Sequence, residues 1–138
     1  MKAIVCGFGE LLLRLTPQGH EELILQSEVL EMGFAGAEAN ILANLSHWGH
    51  ATQFITALPD NPIGKKGLMF LNQNGVGTNN ISMDQGRIGT YYIEHGYSIR
   101  GADVTYDRKN SSFAGWNLSE KDWEKHLENK SHFVITGI

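Results

Sequence analysis

Residues 37–62, AEANILANLSHWGHATQFITALPDNP, decide the fold. Ala37, Ile41, Leu45 and Trp48 recur at i, i+4, i+8 and i+11, which is one face of a helix, and Gly49 supplies its stop. Residues 51–58 alternate around Phe54 and Ile55 and predict a strand. Asp60-Asn61-Pro62 then opens a second helix, with Asn61 as N-cap, Pro62 at the first helical position, and Ile63, Phe70 and Leu71 facing inward. Upstream, the β-branched run at residues 2–6 enters Gly7-Phe8-Gly9, a buried strand ending in a turn. Strand, helix, strand, helix is the signature of a parallel α/β sheet.

Further from this centre the rhythm changes. Residues 22–30 are apolar without helical spacing and predict one or two short extended pieces. Residues 87–94 and 102–106 are strand-like, with a glycine-containing turn at 96–101 and no helix between them. They predict an antiparallel insertion outside the parallel sheet. Ser119-x-x-Asp122 forms a capping box for a third helix with Trp123 and Leu127 inward. Residues 132–138 have the composition of a buried parallel strand. Such a strand normally continues into a crossover helix, so the chain is expected to be truncated.

The composition narrows the function classes. The 138 residues carry 11 Lys and Arg against 15 Asp and Glu, a net charge of −4, which suits neither nucleic acid nor an anionic membrane. Hydrophobic residues at 41% are enough for a packed core. The lone Cys6 allows neither an intramolecular disulfide nor a Cys-rich zinc site. No run reaches the roughly 18 apolar residues of a membrane span, and no signal peptide precedes the first strand, so a cytoplasmic location is expected. Five Asn-x-Ser sequons carry no meaning without such a signal.

Several motifs fail their own context. Gly7-Phe8-Gly9 lacks the third glycine of a dinucleotide fingerprint, Leu12 standing there, and runs to Pro17 without a helix. Gly64-Lys65-Lys66 lacks the glycine and hydroxyl of a phosphate loop. His47-x-x-His50 straddles a helix end with no third ligand in reach. No metal ligand set is expected. Two stretches hold more chemistry. Residues 33–40 bring small residues into a helix N-terminus whose free N–H groups, with Glu38 and Asn40, suit hydroxyl or carboxylate oxygens; a tight capped loop explains them equally well. Tyr106-Asp107-Arg108-Lys109 sets two cations beside a phenol, which suits an anionic sugar acid or is a solvated strand end.

Taken in order, Gly7-Phe8-Gly9-Glu10, Gly36-Ala37-Glu38-Ala39-Asn40, Gly64, Gly89-Thr90-Tyr91 and Tyr106-Asp107-Arg108-Lys109-x-Ser111 resemble the PfkB carbohydrate kinases of ribokinase-like fold, above all the 2-keto-3-deoxygluconate kinases. The resemblance covers the whole chain and the N-terminal part of a family more than twice as long. It implies an α/β ribokinase-like parallel sheet flanked by helices, incomplete here, with a small antiparallel β lid. Residues 1–138 would be the N-terminal part of that domain, the lid segments lying at about 12–33 and 84–116. The catalytic and ATP-binding half, with the Gly-Ala-Gly-Asp motif that carries the base and anion hole, would be absent.

The same resemblance implies an ATP-dependent sugar-acid kinase acting on 2-keto-3-deoxygluconate, inactive as this chain. Its sugar-binding residues would be Gly36, Ala37, Glu38, Ala39, Asn40, Tyr91, Tyr106, Asp107 and Arg108, with no catalytic residue in the chain. ATP and Mg2+ would serve the full-length enzyme and bind nothing here. The lid would pair with a second subunit. Three positions depart from the family pattern: Ala35 replaces a glycine, Leu42 a small residue, and Asp107 an aromatic. The Asp107 charge would oppose an acidic substrate, which keeps fructose or another neutral sugar as an alternative. A non-enzymatic sugar-binding or dimerisation module is the alternative of a different class.

Overall fold

The computed structural model describes residues 3–137, so Lys2 and Ile138, at the ends of the first and last predicted strands, lie outside the described residues. Two four-stranded sheets share the chain. The first is built from β1 (Ile4–Phe8), β4 (Ala51–Pro59), β5 (Ile81–Asp84) and β8 (His132–Val134). Its order is β5-β4-β1-β8 and every pairing is parallel. α1 (Ala37–His47) and α2 (Pro62–Gln73) pack near β4, and α3 (Glu120–Leu127) precedes β8. The second sheet holds β2 (Leu12–Pro17), β3 (Leu30–Ala35), β6 (Thr90–Glu94) and β7 (Asp103–Asp107), in the order β3-β2-β6-β7. The α/β parallel sheet flanked by helices is as expected.

Local hydrogen bonds explain the element starts. The Asn61 side chain accepts from the N–H groups of Ile63 and Gly64, both at 3.0 Å, ahead of Pro62. The Ser119 and Asp122 side chains each accept from the other residue's backbone N–H, the reciprocal box predicted for α3.

The structure corrects four expectations and adds one strand. The second sheet is mixed: β6–β7 and β2–β3 are antiparallel hairpin-like pairs, but β2 and β6 run parallel. Both strands leave the same end of the first sheet, so when adjacent they point the same way. Residues 22–30 begin not with extended chain but with a 3-10 turn at Ile24–Gln26; pairing starts only at Leu30. β5 is a fourth parallel strand that its short run concealed. β8 pairs with β1 as expected, but it is an edge with His132 and Phe133 exposed rather than a buried strand.

The fourth correction concerns helix faces. α1 buries Glu38, Ala39 and Leu42, while Ala37, Ile41 and Trp48 are exposed and Leu45 is half-buried. Leu42 lies over Gly7 of β1, filling the room a side chain there would take. An apolar spacing count passes over this face because it contains a carboxylate. α3 likewise buries no residue; Trp123 is half-buried against Phe8, rings 4.9 Å apart, and Leu127 is exposed. The core lies between the sheets and α1 and α2, with Leu11, Leu13, Phe34, Leu42, Phe54, Leu58 and Leu71 at its centre.

Candidate functional site

The C-terminal ends of β1 and β8 meet the N-terminus of α1, and the second sheet rises beside them. Ligands of open α/β sheets bind at this end of the strands. A cleft of about 390 Å³ opens there, within the range of ligand pockets. Leu12, Ala35, Tyr91, Ile93, Val104, Tyr106 and Arg108 line it from the second sheet and its end, and Gly36, Ala37, Glu38 and Asn40 from the loop and first turn of α1. Strand alternation sets the sheet's contribution: Tyr91 pairs with Tyr106, and Ile93 with Val104, so all four point to one face.

The Tyr91 and Tyr106 rings lie 5.9 Å apart, and the Arg108 guanidinium carbon sits 5.8 Å from the Tyr106 ring centre. Burial raises the Tyr91 hydroxyl above its ordinary pKa, opposed by the nearby Arg14 charge. It is therefore a phenol at neutral pH, able to donate as well as accept. Arg108 is held by Glu10, the residue after the β1 turn. Glu10 is 7% exposed; its Oε2 accepts from Arg108 Nε at 2.9 Å and lies 2.8 Å from Nη2. Its Oε1 accepts the Ser111 hydroxyl at 2.6 Å.

Two glycines make this possible. A β-carbon on Gly89 would collide with Glu10 Oε1, and one on Gly36 would sit 2.5 Å from the Glu10 carbonyl oxygen. Glu38 is also buried, its Oε1 accepting from the Thr136 N–H at 3.0 Å and the Thr136 hydroxyl at 2.5 Å. It ties the α1 N-terminus to the segment after β8.

Of the nine residues expected at the site, seven line this cleft. Ala39 does not: at 1% exposure it belongs to the core beneath. Asp107 does not either. It turns to the opposite face of β7, where its carboxylate accepts two bonds from Arg87 at 2.9 and 2.7 Å. Arg87 holds the Asp107 pKa below the carboxylate range. Its charge is thus spent outside the cleft, because alternate residues of a strand face opposite ways. Glu10, Ser111 and Thr136 were not assigned from sequence. The signal for Glu10 was a single carboxylate directly before Leu11-Leu12-Leu13, a charge that an apolar run buries only with a partner.

Two of the three rejected motifs stay outside the cleft. His47 and His50 are exposed, and Lys65 pairs with Asp60 at 3.1 Å on the surface of α2. Among the described residues no group of three or more His, Cys, Asp or Glu is placed to hold a metal ion. No helix among them is long and apolar enough to cross a membrane.

Residues 2–138 match the sequence model of the pfkB family carbohydrate kinases. The chain is 36% identical over all 138 residues to the 2-dehydro-3-deoxygalactonokinase of Haloferax volcanii, and covers 43% of that protein. The crystal structure of 2-dehydro-3-deoxygluconokinase from Thermotoga maritima superposes with a TM-score of 0.88 at 38% identity, over 95% of this chain and 40% of that one. A PfkB family carbohydrate kinase from Listeria grayi superposes at 0.83 and 39% identity, over 91% and 39%. The chain spans less than half the length of these relatives.

Proposed function

The chain belongs to the pfkB family of carbohydrate kinases, and on that premise we propose that it is the sugar-binding portion of a kinase that phosphorylates 2-keto-3-deoxygluconate. One observation carries the reading. A guanidinium with a free edge, two phenols, Asn40 and the Gly36–Ala37 backbone converge on one cleft. Arg108 receives the carboxylate, Tyr91 and Tyr106 hydrogen-bond the sugar hydroxyls, and Asn40 with the loop amides fixes its far end. The second sheet acts as a lid over the sugar and as a pairing surface for a second subunit. The likeness to the two sugar-acid kinases from Haloferax volcanii and Thermotoga maritima supports the substrate class.

ATP with Mg2+ supplies the phosphoryl group in the whole protein. The described residues do not fit that pair: no group of three or more His, Cys, Asp or Glu among them is placed to hold the metal. No transfer step is derived from them. Their part is positioning, which together with electrostatic stabilisation carries nearly all of a phosphoryl transfer. The chain by itself binds sugar and turns nothing over. It works in the cytoplasm, without nucleic acid or membrane.

The second reading is a neutral ketose such as fructose. It is favoured by the Glu10–Arg108 pair, which leaves the cleft without net positive charge. Calorimetric titration with 2-keto-3-deoxygluconate, fructose and ATP separates these readings. Binding of the acid alone, abolished in Arg108→Ala, is the expected result. Unchanged acid affinity in Arg108→Ala overturns the assignment.

A further inference from the structure

Arg108 owns two hydrogen-bonding edges, Nε with Nη2 on its side and Nη1 with Nη2 at its end. Glu10 occupies the side edge: its Oε2 accepts from Nε and lies 2.8 Å from Nη2. Among the described residues no protein group accepts from Nη1. The Arg108 side chain is 39% exposed, whereas that of Glu10 is 6% exposed. The carboxylate is itself immobilised. Ser111 donates to its other oxygen, and the Ser111 oxygen in turn accepts the Ala114 N–H at 3.1 Å. Gly89 leaves the space in which it lies.

A carboxylate buried this way costs free energy unless it is paired, so its presence at the cleft calls for a role. We propose that Glu10 is a positioning residue, which clamps the side edge of Arg108 and thereby presents the end edge to the carboxylate of a sugar acid. The proposal rests on the sugar-acid reading above for its ligand. The clamp removes the rotamer freedom that a long cation would otherwise lose on binding. It also cancels the cation's charge, so that recognition depends on the two-point geometry of a carboxylate rather than on charge alone.

Glu10→Asp tests the clamp, because it keeps the charge and withdraws the carboxylate by one methylene. Calorimetry on the 138-residue chain is expected to show affinity for 2-keto-3-deoxygluconate falling about threefold to tenfold. Unchanged affinity for the acid overturns positioning, since charge alone is then sufficient. Nitrogen NMR gives a readout independent of the sugar. The Arg108 Nε–H signal, assigned by its loss in Arg108→Lys, is expected to be protected from exchange in the wild-type chain and unprotected in Glu10→Asp. It is expected to persist when the acid binds. A signal unprotected in the wild-type chain, or released by the acid, overturns the clamp. If neither sugar binds the wild-type chain, the substrate reading fails, and the Nε–H signal decides the clamp by itself.

Discussion

Arg108→Ala leaves the Glu10 carboxylate, 7% exposed, with only the Ser111 hydroxyl as partner. Breaking a fully buried ion pair costs about 3–5 kcal/mol. Here the guanidinium is 39% exposed, so water enters its place and screens the orphaned charge. That discount brings the expected loss to about 1–2 kcal/mol. For a chain of this length it lowers Tm by about 5 °C. Glu10→Gln removes the charge instead, and the double variant no longer holds a buried anion without a partner. Urea denaturation of the four chains at pH 7 therefore gives a double-mutant cycle with a coupling of about 1 kcal/mol. Additivity within about 0.3 kcal/mol would refute the reasoning, since Arg108 and Glu10 would then be neighbours without a shared interaction.

Other consequences are quicker to check. Gly36→Ala drives a β-carbon against the Glu10 carbonyl and is expected to cost about 1–3 kcal/mol, read from the urea midpoint. Arg87 lowers the folded-state pKa of Asp107, so the pair's contribution is present above the unfolded pKa of about 4 and is lost as pH falls through the folded value. Wild type should thus exceed Asp107→Asn in stability at pH 7, and the gap should close as pH falls below both the unfolded and the folded pKa of Asp107; a gap that persists in acid contradicts this. Cys6 is fully buried, and burial raises its thiol pKa, so iodoacetamide should label it only as fast as the chain opens. Labelling at the free-thiol rate in native buffer would place Cys6 outside the core.

What could be read from the sequence is what neighbouring residues settle among themselves. The Asn61-Pro62 start of α2 and the Ser119–Asp122 box of α3 are contacts across two or three positions, and both stand as predicted. The turn into α1 at Gly36 and the β6–β7 hairpin are of the same kind. So are the three apolar runs that form β1, β4 and β8 of the parallel sheet, the short β5 being the exception. Seven of the nine expected site residues reached one cleft because the motif order reflects the chain path.

The rest depended on partners far away in the chain. Glu10 meets Arg108 across 98 positions and Ser111 across 101, and Glu38 meets Thr136 across 98. Those contacts decide which carboxylates are buried and which edge of Arg108 is free. They also turned α1, since its inward face includes Glu38 and its outward face the apolar Ile41 and Trp48. The face that Asp107 takes follows from the register of β7 on β6, and the exposure of β8 from its place at the edge of the sheet. Hydrophobic spacing carries no information on either, because a buried charge is stable only where the fold delivers its partner.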